Sequence, residues 1–131
     1  EMHPVEFTND PAIAGQNDNL VAINATLQID FLGQCGSESL GHAPYSGTGG
    51  QSDFVRAANR SKGGKAFIVL PSTAKDDTIS RIVPSLSPCT HVTTSKNDIN
   101  YVVTEYGVAQ LRGKSASRTG TGGQGERAWG E

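Results

Sequence analysis

Val21-Ala22-Ile23-Asn24-Ala25-Thr26-Leu27-Gln28-Ile29-Asp30-Phe31 carries an apolar residue at every second position. A period of two is the mark of a β-strand, in which successive side chains point to opposite faces. Eleven residues is long for one strand, so the spacing predicts a bend or split at 24–26, and Gly33 ends the run. Downstream, Asp53 is placed to cap a helix over 53–59, with Phe54, Val55 and Ala58 on one face, Arg56 and Asn59 on the other, and Gly63-Gly64 as the stop. Ala66-Phe67-Ile68-Val69-Leu70 is continuously apolar between Gly64 and Pro71, the pattern of a strand buried on both faces. Strand, connection, amphipathic helix and apolar strand together read as α/β.

Further β-branched runs at 80–83, 91–94 and 101–104 predict short strands, separated by Pro84, Pro88 and the polar segment 95–100. Residues 107–111 are read as the start of a last helix. The segment 33–52, rich in Gly, Ser, His and Pro, is a long loop for a compact domain and is read as functional. After Lys114 the chain becomes SASRTGTGGQGERAWGE, Gly-rich and charged with no apolar stripe, and disorder is expected there.

The 131 residues suit one domain. Eleven Lys and Arg against thirteen Asp and Glu leave a net charge of −2, which excludes nucleic-acid binding through a broad basic face. No apolar run approaches the ~20 residues that cross a bilayer, and residues 1–4 carry no secretory signal pattern. Cys35 and Cys89 are distant and unpaired by any CxxC spacing, so a reducing, cytoplasmic setting is expected. His3, His42 and His91 lack metal-ligand spacing, and no metal is expected.

Three places carry candidate chemistry. Ser46-Gly47-Thr48-Gly49-Gly50-Gln51 runs into the expected helix start, where glycine lets a backbone approach an anion and free N–H groups can receive it; a plain Gly-rich turn is the other reading. The loop is neither a Rossmann fingerprint, since Ser52 stands at the third glycine position, nor a P-loop, since no GK[ST] follows. Gly120-Thr121-Gly122-Gly123-Gln124-Gly125 matches GxGxxG without the flanking strand and helix that the motif needs. Lys75 follows the apolar strand at the edge where α/β sheets place ligands, either to neutralise an anion or simply solvated. Glu105 likewise follows a strand, as an acidic group at a sheet edge or as a first-turn residue of the last helix.

The segments Val21-Ala22-Ile23-Asn24-Ala25, Gly47-Thr48-Gly49-Gly50-Gln51-Ser52-Asp53-Phe54, Leu70-Pro71-Ser72-Thr73-Ala74-Lys75, Ser80-Arg81-Ile82-Val83-Pro84 and Tyr101-Val102-Val103-Thr104-Glu105-Tyr106-Gly107 through Gly113 resemble, in order, the C-terminal domain of the acetyl-CoA hydrolase/transferase family. The likeness runs over about residues 5–114. It implies an open, mostly parallel α/β sheet with Rossmann-like layering, as the C-terminal half of a two-domain enzyme that is homodimeric when complete. It also implies transfer of coenzyme A between a small acyl-CoA and a small carboxylic acid, through an acyl anhydride and a glutamyl-CoA thioester. In that pattern Gly49 and Gly50 serve the oxyanion and acyl-CoA, Asn9 of Asn9-Asp10-Pro11 lies near the reacting acyl group, Glu105 lines the pocket and Lys75 stands at its edge. Gly47, Gly50, Gln51 and Lys75 are the coenzyme A contacts.

The family's nucleophilic Glu belongs to a motif upstream of the Asn-x-Pro segment, outside this sequence. Glu38 and Glu105 match non-nucleophilic positions and do not replace it. The chain is therefore read as a fragment lacking its N-terminal domain, with 1–114 as an incomplete C-terminal domain, 115–131 as a disordered or non-native end, and no turnover by itself. A hydrolase of the same fold, and a non-catalytic CoA-binding or dimerisation module, are the alternatives. The Gly-Gly-Gln tripeptide also occurs in peptidyl-tRNA hydrolysing factors, but those dock on rRNA through a strongly basic tail, which the −2 charge does not supply.

Overall fold

The computed structural model describes residues 1–114, so the glycine-rich end, with its GxGxxG match and its expected disorder, lies outside the described residues. In chain order the elements are α1 (Val5–Thr8), α2 (Pro11–Ala14), β1 (Val21–Ala25), β2 (Gln28–Asp30), β3 (Cys35–Gly36), β4 (Ser39–Leu40), β5 (Ala43–Pro44), α3 (Gln51–Arg60), β6 (Lys65–Val69), β7 (Thr73–Ala74), β8 (Ile79–Ser80), β9 (Ile82–Val83), β10 (Tyr101–Thr104) and β11 (Gly107–Gln110). The main sheet has the order β1-β6-β10-β11, with β1, β6 and β10 parallel and β11 antiparallel. The protein is thus a small α/β unit on an open, mostly parallel sheet.

One face of that sheet is covered by α3, whose buried Val55 and Ala58 join Ala22, Ala66, Ile68 and Val102 in the core. The register Ala22↔Ala66 and Asn24↔Ile68 puts the second and fourth residues of β1 beneath the helix. Val21 and Ile23, the apolar set of the alternation, stand on the opposite face at 53% and 65% exposure, against 6% for Ala22. The alternation is lost in β2, where Gln28 and Asp30 are buried together with Ile29. Their polarity is satisfied: Gln28 Oε1 accepts from Ser87 N and Oγ, while Asp30 accepts from the backbone of Leu32 and Gln34 and from the Gln34 side chain. Central β6 buries Ala66 and Ile68 but leaves Phe67 and Val69 half-exposed, so the run 66–70 is covered on one face rather than two. Among the described residues, a helix layer covers one face of the sheet only.

The split expected at 24–26 is present, between β1 and β2. Other expectations are corrected. Residues 107–111 form no helix; β11 folds back on β10 through a two-residue turn, Thr104 pairing Gly107 and Val102 pairing Ala109. Residues 91–94 form no strand and contribute one isolated bridge, Cys35 to Thr94. The 80–83 strand is broken at Arg81, because β8 pairs with β7 while β9 joins β2 in another sheet. The loop 33–52 contains the small strands β3, β4 and β5. Asp53 is not the cap of α3: the helix starts two residues earlier behind Gly50, leaving Asp53 in the first turn, where a carboxylate faces the positive end of the dipole.

Candidate functional site

A right-facing geometry follows from connectivity. Helix α3 ends at Arg60 and β6 begins at Lys65, so the helix C-terminus lies at the amino end of the parallel strands and its N-terminus at their carboxyl end. Ten helical residues span ~15 Å, about the rise of a five-residue strand. The glycine loop, the Pro71-to-Lys75 segment after β6 and Glu105 after β10 therefore gather at one end of the sheet.

Asn9 and Gly50 meet there. Asn9 ends α1, and Asp10 then caps α2 by accepting from Ala12 N at 2.7 Å, with Pro11 as its first residue. Helix α2 packs along α3, and the Asn9 amide just before it lies over the α3 N-terminus. A Cβ on Gly50 would lie 2.6 Å from Asn9 Nδ2 and 3.3 Å from the Phe54 ring. Gly50 has φ −91° and ψ 10°, open to any residue, so glycine is needed there for space. Gly49 differs: nothing lies near its missing Cβ, but its φ of +54° is left-handed. Asn9 Oδ1 accepts from the Thr8 hydroxyl, leaving its Nδ2 without an acceptor among the described residues. Beside it are the first-turn N–H groups of α3, which helix geometry leaves unpaired.

Gln51 points elsewhere: its Nε2 donates to Ser37 Oγ at 2.9 Å and Thr94 Oγ1 at 3.1 Å. With Ser52 Oγ donating to the Thr93 carbonyl at 2.6 Å, it ties the helix start to the 33–40 and 93–94 segments.

Glu105 forms a second focus. Its Oε2 accepts from Ser72 N at 2.9 Å and its Oε1 from Ser72 Oγ at 2.5 Å, joining the ends of β6 and β10. The Ser72 hydroxyl, followed by the Glu105 and Ser72 amides, holds this exposed carboxyl below its ordinary value of 4.5. Lys75 is exposed on the turn of the β7–β8 hairpin, where Lys75, Asp76 and Asp77 have φ of +52°, +51° and +62°. Three successive non-glycine residues in that region store strain in this hairpin turn. No hydrogen bond or ion pair among the described residues joins the Asn9–Gly50 pair to Glu105 or Lys75. Gly47 is exposed, with nothing within 4 Å of its missing Cβ.

Residues 1–122 match the acetyl-CoA hydrolase/transferase C-terminal domain. The chain belongs to this family. It is 66% identical over 116 residues to the succinyl-CoA:cyclohexane-1-carboxylate CoA transferase of Geobacter metallireducens, a match covering 88% of this chain and 26% of that protein. It is 53% identical over 115 residues to the 4-hydroxybutyrate coenzyme A transferase of Clostridium kluyveri, covering 88% and 27%. The crystal structure of RipA from Yersinia pestis superposes with a TM-score of 0.82 at 50% identity, over 89% of this chain and 26% of that one. The chain thus spans about a quarter of the length of these relatives.

Within this acetyl-CoA hydrolase/transferase domain, sequence reading passed over Ser72 as a partner of Glu105 and the unpaired Nε of Arg81. Both lie in quoted motifs, and a polar residue directly after a buried strand was the available signal for Ser72. Among the described residues, no helix is long and apolar enough to cross a membrane.

Proposed function

We propose that this chain is the C-terminal part of a CoA-transferase that moves coenzyme A between a small acyl-CoA and a small carboxylate, with the nucleophilic Glu supplied from outside this sequence. That carboxylate attacks the acyl-CoA carbonyl, giving a mixed anhydride and CoA thiolate. The thiolate attacks the glutamyl carbonyl, releasing the first acid and leaving a glutamyl-CoA thioester. The acceptor acid repeats the two steps in reverse, so CoA leaves on the new acyl group and the Glu carboxylate is restored.

Each addition drives negative charge onto a carbonyl oxygen, and preset N–H donors lower that barrier most. The observation that carries the reading is the contact of the Asn9 amide with Gly50 at the α3 N-terminus: a side-chain NH₂ and backbone N–H groups stand together with no side chain between them. In this reading Gly49 and Gly50 present the backbone, Asn9 adds its amide, Gly47 and the backbone of Gln51 lie along the coenzyme, Lys75 meets an anionic part of the CoA, and Glu105 shapes the acid pocket. Thioester hydrolysis would use the same groups with water as the final acceptor.

The test is acyl exchange between acetyl-CoA and a labelled second acid. This chain alone should show none, whereas a full-length family enzyme carrying it should turn over, and Gly50→Ala there should cost on the order of 10²-fold in rate with a much smaller effect on CoA binding. A Gly50→Ala change that raised only the Michaelis constant for CoA would make the loop a coenzyme contact and refute the oxyanion assignment.

A further inference from the structure

Arg81 interrupts the strand between β8 and β9. Its N–H donates to the Ser72 carbonyl at 2.8 Å and its carbonyl accepts from Ile29 N at 2.9 Å. Ser80 Oγ bonds across it to the Ile82 carbonyl at 2.6 Å and accepts from Ile82 N at 3.3 Å. The residue is thus rooted on both sides, opposite Ser72 in the register continued from Thr73↔Ser80, the position whose side chains share a face. Ser72 is the residue that holds Glu105.

The side chain is half-buried and its Nε is buried with no hydrogen-bond partner. No carboxylate among the described residues forms an ion pair with it; the ion pairs there join His3 to Glu1, Arg56 to Asp98 and His91 to Glu38. Glu105 is not its counter-ion, since both Glu105 oxygens are directed onto Ser72. A guanidinium stays charged at any physiological pH, and leaving a buried charged N–H unpaired is costly, so a partner is called for. Its planar fork of donors fits a carboxylate in bidentate fashion.

We infer that Arg81 is a substrate-binding residue that takes the carboxylate of the small acid beside the Ser72–Glu105 pair. This rests on the CoA-transferase reading for the identity of the acid, while the anion site itself stands on a half-buried guanidinium with no counter-ion among the described residues.

The test follows the arginine Nε–Hε cross-peaks of this chain by NMR while sodium butyrate is added, with sodium chloride at equal ionic strength as reference and inorganic phosphate as a second probe. The Arg81 peak should move saturably with butyrate, while Arg56, already donating to Asp98 at 3.0 Å, stays in place. Arg81→Lys, checked for a native spectrum, should bind butyrate about tenfold more weakly or worse, read from the Ser72 amide. An Arg81 peak that follows chloride alone, or saturation by phosphate and not butyrate, overturns the assignment. So does a ligand-free shift of that peak in Glu126→Gln/Glu131→Gln, which would give the counter-charge to the chain itself. Acetyl-CoA added in parallel separates the two ideas: a Gly50 amide that responds while Arg81 ignores butyrate removes only the Arg81 proposal. Butyrate binding at Arg81 with no response to acetyl-CoA removes the CoA reading and keeps the anion site.

Discussion

Replacing Gly50 by Ala puts a carbon 2.6 Å from Asn9 Nδ2 and 3.3 and 3.4 Å from two Phe54 ring atoms. The backbone there suits alanine, so the change gains roughly 0.4–1 kcal/mol from a less flexible unfolded chain. Overpacking against Asn9 and Phe54 costs about 1–3 kcal/mol, so Gly50→Ala should destabilise by about 1 kcal/mol. The worst contact is the end of one side chain. In an Asn9→Ala background it is gone, and the second substitution should be near neutral. The double-mutant cycle should therefore show a coupling of about 1 kcal/mol, beyond the ~0.3–0.5 kcal/mol scatter of independent sites. Urea denaturation measures it: with a slope near 2 kcal/mol/M, Gly50→Ala moves the midpoint by about 0.5 M in the wild-type background and hardly at all without Asn9. Additive effects within the scatter would refute the argument that Asn9 occupies the space above Gly50.

Ser72→Ala removes the main group that depresses the Glu105 carboxyl, so its titration, followed by carbonyl NMR, should rise toward 4.5. A depressed folded-state value adds stability above the unfolded value that is lost as pH falls through the folded one. The stability gap between wild type and Ser72→Ala should accordingly narrow below pH 4.5, and a gap that widens in acid would contradict the bond. Cys35 is buried, and burial, with Asp30 adding and a Thr26 bond opposing, pushes its thiol up to about 12, whereas Cys89 is exposed. A thiol reagent at pH 8 should modify Cys89 at once and Cys35 only as fast as the protein opens; immediate reaction of both would place Cys35 outside the core.

Much of the candidate site was legible in particular residues. The Gly47-to-Phe54 segment announces a loop entering a helix, whereas Asn9-Asp10-Pro11 was read only as a family motif, and its Asp10 cap with Pro11 in the first turn came with the structure. The reason Gly50 is glycine was not legible, because it depends on a side chain 41 positions away. Arg81 was visible as part of a motif, yet its unpaired Nε exists only once the surrounding chain is folded. Helix α1 and strands of two residues carry too few side chains to show any period.

By itself the sequence determined the β character and the split of residues 21–31, the presence of a helix over 53–59, the α/β class and the family. The tertiary structure decided which way β1 faces, since local periodicity is indifferent to the choice and α3 settles it by packing on Ala22, Ala66 and Ile68. It also made Gly107–Gln110 a strand: Val102 and Ala109 pair across a two-residue turn, and partners supplied by another element outweigh the weak preference of four residues for any one conformation.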